Sequence, residues 1–335
     1  MMNQAKEGIR PRIVVVGTGG TIASSAAAST EVHNYKVSDS VEEVLAAVPE
    51  AAELADLRAV QAFNVGSFEF DNSILLSLAR CVSQALHEAD TDAVVVTHGT
   101  DTLDETAYFL HLVLRTSKPV VMVGAMRPAR SLSADGPINF FNAVATARAS
   151  CSHGKGVLVA ANGHIYGARD VIKRDTSSVD AIQGAKFGIL GEICGSVPHF
   201  FHCPVQRHTM ASEFDIDHLQ ELPQVDILFG HQAAGAHLCE ASVKSGAKAI
   251  VVAGAGNGGL SPGLRAGAAL ARDAGVAFIR ASRTGQGMVA PLHSDAELNI
   301  IAAGSLPPQK ARILAMLGLA YGKSVEELRT AFESY

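Results

Sequence analysis

The sequence predicts a two-domain α/β protein, in which a larger N-terminal domain has a mostly parallel sheet flanked by helices and a smaller C-terminal domain is also α/β. Three observations support this prediction. The chain has 335 residues, which is more than one hydrophobic core usually holds. Short runs rich in Val and Ile alternate with amphipathic stretches of helical length, a pattern typical of strand-helix units around a parallel sheet. The alternation stops after about residue 165 and resumes near residue 225.

The N-terminal part contains four buried strands and three helices by this pattern. The strands are predicted at Arg12–Val16, Asp92–Thr97, Val120–Val123 and Gly156–Ala160, and the helices at Asn72–His87, Leu103–Arg115 and Pro137–Ala149. The third helix has a proline at an early helical position, where its missing N–H is not needed.

The region from residue 165 to about 220 mixes Gly, Pro, His and polar residues, which predicts irregular strands followed by a linker. We therefore place the domains at 1–206 and 225–335, with the linker at 207–224. The later elements are predicted as strands at Val225–Phe229, Ala249–Ala253 and Val276–Arg280, and as helices at Ala236–Ser245 and Gly263–Asp273. Two terminal helices follow, and a capping box of Ser324 and Glu327 opens the second one.

Charge and composition argue against several classes of function. The formal net charge is −6 and the isoelectric point is near 6.1, with scattered Lys and Arg, so we expect no nucleic-acid partner. No segment approaches the roughly 18 consecutive apolar residues of a membrane span. The apolar run Ile13–Val16 is too short for a signal-peptide core, which predicts a cytoplasmic protein. The five cysteines are widely spaced without a CxxC pair, so we expect no disulfide framework, no metal site and no cofactor.

The first candidate site is the glycine-rich segment Gly17–Ala23, which follows the first predicted strand. A phosphate-binding loop is disfavoured, because the third glycine of a dinucleotide fingerprint is missing and no Gly-Lys-Ser/Thr follows. The small residues would instead let the main chain approach a small ligand and present the hydroxyls of Thr18 and Thr21. Open α/β sheets bind ligands at this edge.

Polar residues also follow the second predicted strand, in Thr97–Glu105. Asp101 or Thr102 could simply cap the next helix, since these residue types are preferred caps. The segment nevertheless holds more hydroxyl and carboxyl groups than a cap requires. Another loop region, Gly124–Gly136, follows the third strand, so three loops converge on one sheet edge. Taken alone, Lys173 would be a solvated surface charge.

Five segments carry a more specific signal. They are Gly19–Ala23, Thr97–Thr102, Gly124–Pro128, Ser133–Gly136 and Gly254–Gly258, which contains Asn257. Together they resemble, in the same order, the motifs of the bacterial-type L-asparaginase family, which includes glutaminase-asparaginases. The ending Ser305–Arg312 also fits the C-terminal part of that family. The resemblance implies an amidohydrolase that converts the side-chain amide of L-asparagine to L-aspartate and ammonia.

Carried over residue by residue, the resemblance implies that Thr21 is the nucleophile and that Tyr35 assists its activation or positioning. Thr100, Asp101 and Lys173 would form a second catalytic cluster. An acyl-enzyme would form on Thr21 and then be hydrolysed, because an amide needs an activated hydroxyl, donors for the oxyanion and a proton for the departing ammonia. Both threonines belong to plausible base-linked clusters, so which of them attacks first stays open.

The residues that the resemblance implies for substrate binding are Gly20, Gly66, Ser67, Glu69, Gly99, Ala125 and Asn257. Ser67 would anchor the substrate's α-carboxylate and Asp101 its α-ammonium group. Main-chain groups near Ala125 and Thr100 would face the amide oxygen. Asn257 would reach across a subunit interface, so the resemblance also implies a homotetramer built as a dimer of dimers.

Two positions depart from the family pattern. Family members commonly place a polar amide or acid directly after the serine to hold the α-amino group, and here that residue is Phe68, with Glu69 one residue later. Where the family often offers an acidic residue to the neighbouring subunit, this chain has Leu292 or His293. A phenylalanine attracts an ammonium only through its face. We therefore expect altered or weakened recognition of the α-amino group, with a preference for another small amide as an alternative.

Two other functions stay open at this point. An amidotransferase subunit would carry an added N-terminal docking domain, and only eleven residues precede the first predicted strand, which favours the amidohydrolase. A catalytically silent amide-binding protein is compatible with Phe68. The sequence does not separate asparagine from glutamine, since one methylene in a pocket is worth about 1–3 kcal/mol.

Overall fold

The computed structural model describes residues 10–335, and its internal contacts divide the chain into two units. The first unit contains the described residues up to Gly184 together with Gly188–Val205. The second unit contains Ala185–Phe187 and Gln206–Tyr335. Within the described residues, no helix combines the length and apolar character needed to cross a membrane.

The first unit is built on an eight-stranded sheet. The strands of this unit are β1 Arg12–Gly19, β2 Ser24–Ala26, β3 Tyr35–Val37, β4 Asp56–Val65, β5 Ala93–Thr97, β6 Val120–Val123, β7 Val157–Ala161, β8 His164–Gly167, β9 Val171–Lys173, β10 Ile182–Gly184, β11 Gly191–Cys194 and β12 Val197–Phe200. The large sheet has the order β12-β11-β8-β7-β6-β5-β1-β4, and the strands from β4 to β7 are parallel neighbours. The pairs β2–β3 and β9–β10 form separate antiparallel ribbons.

Helices cover the faces of this sheet. They are α1 Val41–Ala46, α2 Ala51–Leu54, α3 Asn72–His87, α4 Leu103–Val113 and α5 Gly136–Arg148. The start of α3 is set by Asp71, whose carboxylate accepts hydrogen bonds from the backbone N–H groups of Ser73 and Ile74 at 2.9 and 2.8 Å. Every residue of β5 is buried, as expected for a strand covered on both faces.

Strand β4 lies outside the elements that the sequence pattern predicts. It forms an edge of the large sheet and its residues alternate irregularly between exposed and half-buried positions. Because an edge strand buries little of its surface, its sequence lacks the continuous Val and Ile run of the central strands. The strand matters for the site because Ser67 follows directly after its end.

The second unit holds a four-stranded parallel sheet with the order β13-β14-β15-β16. Its elements are β13 Val225–Phe229, α6 His237–Lys244, β14 Ala249–Gly254, α7 Pro262–Asp273, β15 Ala277–Ser282, α8 His293–Glu297, β16 Ile300–Ala302, α9 Pro308–Ala320 and α10 Val325–Ser334. Helix α10 begins with the capping box of Ser324 and Glu327 expected from the sequence. The α/β fold with a larger, mostly parallel first sheet and a smaller second one is confirmed.

The segment 207–224, predicted as a linker, contains a buried aromatic residue that packs against two tyrosines. Phe214 is fully buried, and its ring centroid lies 5.2 Å from those of both Tyr321 and Tyr335. The hydroxyls of these tyrosines accept the backbone N–H groups of Asp215 and Glu213 at 2.6 and 2.8 Å. The segment therefore packs within the second unit, while the predicted domain limits stay a prediction.

Candidate active site

Two loops at the carboxyl ends of β1 and β5 approach each other closely. The two strands are parallel neighbours, so their ends meet at one sheet edge. Gly20 has a φ of +78°, and a Cβ atom there would lie 2.3 Å from the Cα of Gly99. Only glycine allows this approach. The contact brings Thr21, in a 3₁₀ turn after β1, beside Thr100 in the loop after β5.

Thr21 forms a hydroxyl pair with Tyr35. The Oγ1 atom of Thr21 lies 2.8 Å from the phenolic oxygen of Tyr35, and either group can donate. The ribbon formed by β2 and β3 places Tyr35, because Ala26 pairs with Tyr35 across it. Thr21 itself is almost fully buried, with 6% of its surface exposed. A phenol at this distance can take or return the threonine proton.

Thr100, Asp101 and Lys173 form the second polar cluster. The Nζ of Lys173, on β9, donates to Thr100 Oγ1 at 2.9 Å and to Asp101 Oδ1 at 2.7 Å. The Lys173 side chain is 18% exposed and the Asp101 side chain is 50% exposed, so the pair lies at the border of the protein interior. A lysine-carboxylate pair that contacts a hydroxyl can exchange protons with it at low electrostatic cost.

Ser67 joins a third loop to these two. Its hydroxyl accepts from the backbone N–H of Thr102 at 3.3 Å, and the Thr102 hydroxyl donates to the carbonyl oxygen of Ser67 at 2.8 Å. A Cβ on Gly99 would lie 2.8 Å from Ser67 Oγ, so this loop contact also requires glycine. Ser67 is buried, whereas Phe68 beside it is 74% exposed.

The carboxylate of Glu69 has one internal partner. Its Oε1 accepts the backbone N–H of Gly66 at 2.9 Å. Its Oε2 has no hydrogen-bond partner among the described residues, and Glu69 lines a cavity together with Ser67 and Asp101. Glu69 thus lines this cavity although it lies one residue after the position at which the family commonly places a polar side chain.

Two cavities meet at four of the predicted catalytic residues, Thr21, Tyr35, Thr100 and Asp101. The front cavity has a volume of about 410 Å³, and the predicted site residues that line it are Gly20, Thr21, Tyr35, Gly66, Ser67, Glu69, Gly99, Thr100 and Asp101, together with Phe68. The rear cavity has a volume of about 340 Å³ and is lined by Thr21, Val32, His33, Tyr35, Thr100, Asp101, Met126, Arg127, Lys173, Thr176 and Ser177. The front cavity suits an amino-acid-sized ligand.

Ala125 and Asn257, unlike the other predicted site residues, are not among the described residues that line either cavity. Ala125 is buried and is not among the described residues that line either cavity, whereas the next two residues line the rear one. Those two, Met126 and Arg127, donate their N–H groups to the carboxylate of Asp135, each at 2.9 Å. Asn257 belongs to the second unit, where its Oδ1 accepts the N–H of Ala290 at 2.8 Å.

Sequence reasoning missed the rear cavity. Arg127, Thr176 and Ser177 were assigned no role, although each lies within four residues of a motif or candidate residue. The Asp135 carboxylate could have been singled out, because an acidic residue in a conspicuous loop motif needs N–H donors when it is partly buried. Its contacts shape the loop that bounds the rear cavity.

His98 lies behind the site as a neutral group. Burial lowers the pKa of His98 to about 4, and a hydrogen bond to the Gly99 carbonyl opposes this shift only in part. Since a carbonyl can only accept, Nδ1 carries the ring proton in this 2.7 Å contact. Within the described residues Nε2 has no hydrogen-bond partner, and the ring packs edge to face on Phe70 at 4.8 Å. In residues 10–335 no cluster of three or more His, Cys, Asp or Glu side chains is arranged to hold a metal ion.

Comparisons with known proteins show which family the chain resembles over nearly its whole length. The family model for the N-terminal domain of asparaginase matches residues 12–206, and that for the glutaminase/asparaginase C-terminal domain matches residues 224–332. L-asparaginase 2 of Bacillus subtilis is 44% identical over 97% of this chain and 87% of its own length. L-asparaginase 2 of Escherichia coli is 39% identical over 97% of this chain and 93% of its own length.

A solved structure has the same fold. The crystal structure of the probable cytoplasmic L-asparaginase from Campylobacter jejuni has a TM-score of 0.95 and 38% sequence identity, covering 97% of this chain and all of that one. A glutaminase-asparaginase of Acinetobacter glutaminasificans is also 40% identical over 96% of this chain and 99% of its own length. Both family models and these relatives cover nearly the whole sequence. The chain belongs to the asparaginase family.

Proposed function

We propose that this protein hydrolyses the side-chain amide of L-asparagine to L-aspartate and ammonia, with Thr21 as the nucleophile. The observation that carries the proposal is the pair of hydroxyl clusters, Thr21 with Tyr35 and Thr100 with Lys173 and Asp101. All five residues line the rear cavity, and all but Lys173 also line the front one. The names of several relatives, L-asparaginase 2 and glutaminase-asparaginase, support the substrate class.

In the proposed reaction the Thr21 oxygen attacks the amide carbon while Tyr35 receives its proton. Main-chain N–H groups of the surrounding loops stabilise the charge that develops on the amide oxygen. The Thr100, Asp101 and Lys173 cluster supplies the proton with which ammonia leaves. An acyl-enzyme ester on Thr21 results, and water then hydrolyses it.

For substrate binding we propose that Ser67 holds the α-carboxylate and that Asp101 and Glu69 hold the α-ammonium group. Two observations support the assignment of Glu69: it lines the front cavity together with Asp101, and only its Oε1 has a hydrogen-bond partner among the described residues. Phe68 adds an apolar wall to the same cavity and no charge. The altered α-amino recognition expected from the sequence would then mean that one contact to the α-ammonium group comes from Glu69. In the family that contact commonly comes from the residue directly after the serine, which is Phe68 here.

The first experiment compares ammonia release from L-asparagine, L-glutamine and succinamic acid, the analogue without the α-amine. We expect L-asparagine to be preferred and Thr21→Ala to abolish release. The variant Glu69→Gln should raise the KM for L-asparagine about tenfold, the value of one lost charge-assisted contact, and leave that for succinamic acid unchanged. Preference for succinamic acid would contradict the amine-binding proposal, and absence of ammonia from every substrate would contradict the enzyme.

We also propose a homotetramer, built as a dimer of dimers, in which Asn257 reaches the neighbouring site. A cytoplasmic location belongs to the same proposal. The Campylobacter jejuni relative is described as probably cytoplasmic, whereas a relative from Haemophilus influenzae is named as probably periplasmic. Light scattering and cell fractionation test these two statements, and a monomer or a periplasmic enzyme would contradict them.

A further inference from the structure

The two cavities share only the residues that do the chemistry. Thr21, Tyr35, Thr100 and Asp101 line both of them. These four side chains therefore form a common wall, and the reacting carbonyl of an acyl group on Thr21 can be approached from either side of it.

The rest of the lining differs between the two sides. Ser67 and Glu69, proposed to bind the substrate's charged end, line the front cavity alone. Lys173 lines the rear cavity alone, where the side chains of Thr176 and Ser177 are also found. Substrate-binding groups thus face the front, and the cation of the second catalytic cluster faces the rear.

The proposed double-displacement reaction needs a second entrance. After ammonia has left, the acyl group is still attached to Thr21 and its charged end occupies the front cavity, so that side is obstructed. Water must nevertheless reach the ester carbonyl before the product can dissociate. We propose that the rear cavity delivers the hydrolytic water to the acyl-enzyme, an inference that rests on the proposed threonine mechanism.

In this step the water oxygen forms a bond to the acyl carbon and the bond between that carbon and the Thr21 oxygen breaks. The water passes one proton to the Thr100 hydroxyl and its Lys173 and Asp101 partners. Tyr35, whose phenolic oxygen lies 2.8 Å from Thr21 Oγ1, returns to the departing Thr21 oxygen the proton that it received during acylation. The carboxylic acid formed releases its proton to solvent, where the ammonia released earlier takes one up, so that the products are aspartate and ammonium and the enzyme is unchanged. The 2.9 Å contact of Lys173 with Thr100 puts this relay at the rear wall.

The test narrows the rear cavity without touching the catalytic groups. Ser177 lies on the exposed loop after β9, so Ser177→Phe can fill the rear entrance with little effect on the core. Ser178→Phe is the matched control, because Ser178 is also exposed and is not among the described residues that line either cavity. Thr176→Phe serves as a second narrowing variant if Ser177→Phe fails to fold.

Slower water entry has a specific kinetic signature. We expect Ser177→Phe to lower kcat and KM for L-asparagine together by about tenfold, with kcat/KM unchanged, because kcat/KM reports only the steps up to acylation. A burst of about one ammonia per active site should precede the steady state. Hydroxylamine, a larger nucleophile than water, should capture a smaller share of the acyl-enzyme than in the wild type.

Two results would overturn the inference. A fall in kcat/KM without a burst would mean that the substitution disturbs acylation or the fold. Wild-type kinetics in both narrowing variants, with an unchanged hydroxylamine share, would mean that water enters elsewhere. Failure of the proposed function itself would be visible separately, as absence of ammonia release by the wild type.

Discussion

Gly20 and Gly99 allow the close approach of the loops that carry Thr21 and Thr100, the two threonines proposed to be catalytic. A side chain at Gly20 would overlap the backbone of Gly99, and a side chain at Gly99 would overlap Ser67. In neither case is the obstacle merely the far end of a flexible side chain that could move away. Each glycine therefore acts by being small, because a side chain at either position would push the loops apart.

His98 is the residue whose titration should be visible in the stability of the protein. In the folded state its pKa is lowered to about 4 by burial, from an ordinary value of 6.5. Between these values the unfolded chain binds a proton that the folded chain does not. The stabilisation due to neutral His98 is therefore fully present above pH 6.5 and is lost as the pH falls toward 4.

We predict that His98→Asn removes this part of the pH dependence. The unfolding free energy of the wild type minus that of the variant should decrease by about 1.4 kcal/mol for each pH unit below pH 6.5, and by about 3 kcal/mol in total as the pH approaches 4. Urea unfolding at pH 4.5 to 7.5 measures this difference. Parallel pH profiles for the two proteins would show that His98 is not held neutral.

At the scale of elements, the buried side chain of Arg280 on β15 joins three segments of the second unit. Its guanidinium forms two hydrogen bonds with the Asp295 carboxylate at the start of α8, at 3.2 and 2.7 Å. It also donates to the backbone carbonyls of Asn257 and Ala290, the second at 2.8 Å. Asp295 in turn accepts the N–H of Leu292 at 2.8 Å. The loop of Asn257 and the segment before α8 are thus held by one side chain.

Removing the charge of Asp295 should cost more than shortening Arg280. Asp295→Asn leaves a buried guanidinium without its counter-charge, which typically costs about 3–5 kcal/mol. Arg280→Lys keeps a cation near Asp295 but loses the carbonyl contacts, worth about 2 kcal/mol together. Chemical denaturation of both variants measures the order, and a smaller loss for Asp295→Asn would contradict it.

At the scale of the whole molecule, the proposed site draws on more than one copy of the chain. The groups proposed to be catalytic belong to the first unit and Asn257 belongs to the second. If Asn257 acts in a neighbouring subunit, two inactive variants can repair each other, because the intact residues come from different chains in a symmetric dimer.

We predict such repair when Thr21→Ala and Asn257→Ala chains are expressed together. Random pairing leaves about one quarter of the sites with Thr21 in one chain and Asn257 in its partner, so about one quarter of wild-type activity should return. Each variant alone provides the control. Activity equal only to the average of the separate variants would mean that Asn257 acts within its own chain or not at all.

Much of the fold could be predicted because burial leaves a periodic pattern in the sequence. The valine runs of β1, β5 and β6 identify central strands, and the loops after them converge on one edge in any parallel arrangement. The edge strand β4 was not predicted, because it buries little of its surface and its sequence therefore lacks a continuous apolar run. The segment 207–224 was taken for a linker because the partners of Phe214 lie more than 100 residues later in the chain.

The fold class, the family and the loops that carry the proposed catalytic side chains could be predicted from the sequence, since these depend on local pattern and on motifs in a set order. Which of these side chains contact one another depends on the tertiary structure. Lys173 lies 73 residues from Thr100, and their 2.9 Å contact depends on how β9 packs beside the loop after β5. The rear cavity has the same origin. Its walls come from loops far apart in sequence. The space between packed loops produces no hydrophobic periodicity in the sequence of any single loop, so the sequence pattern does not predict it.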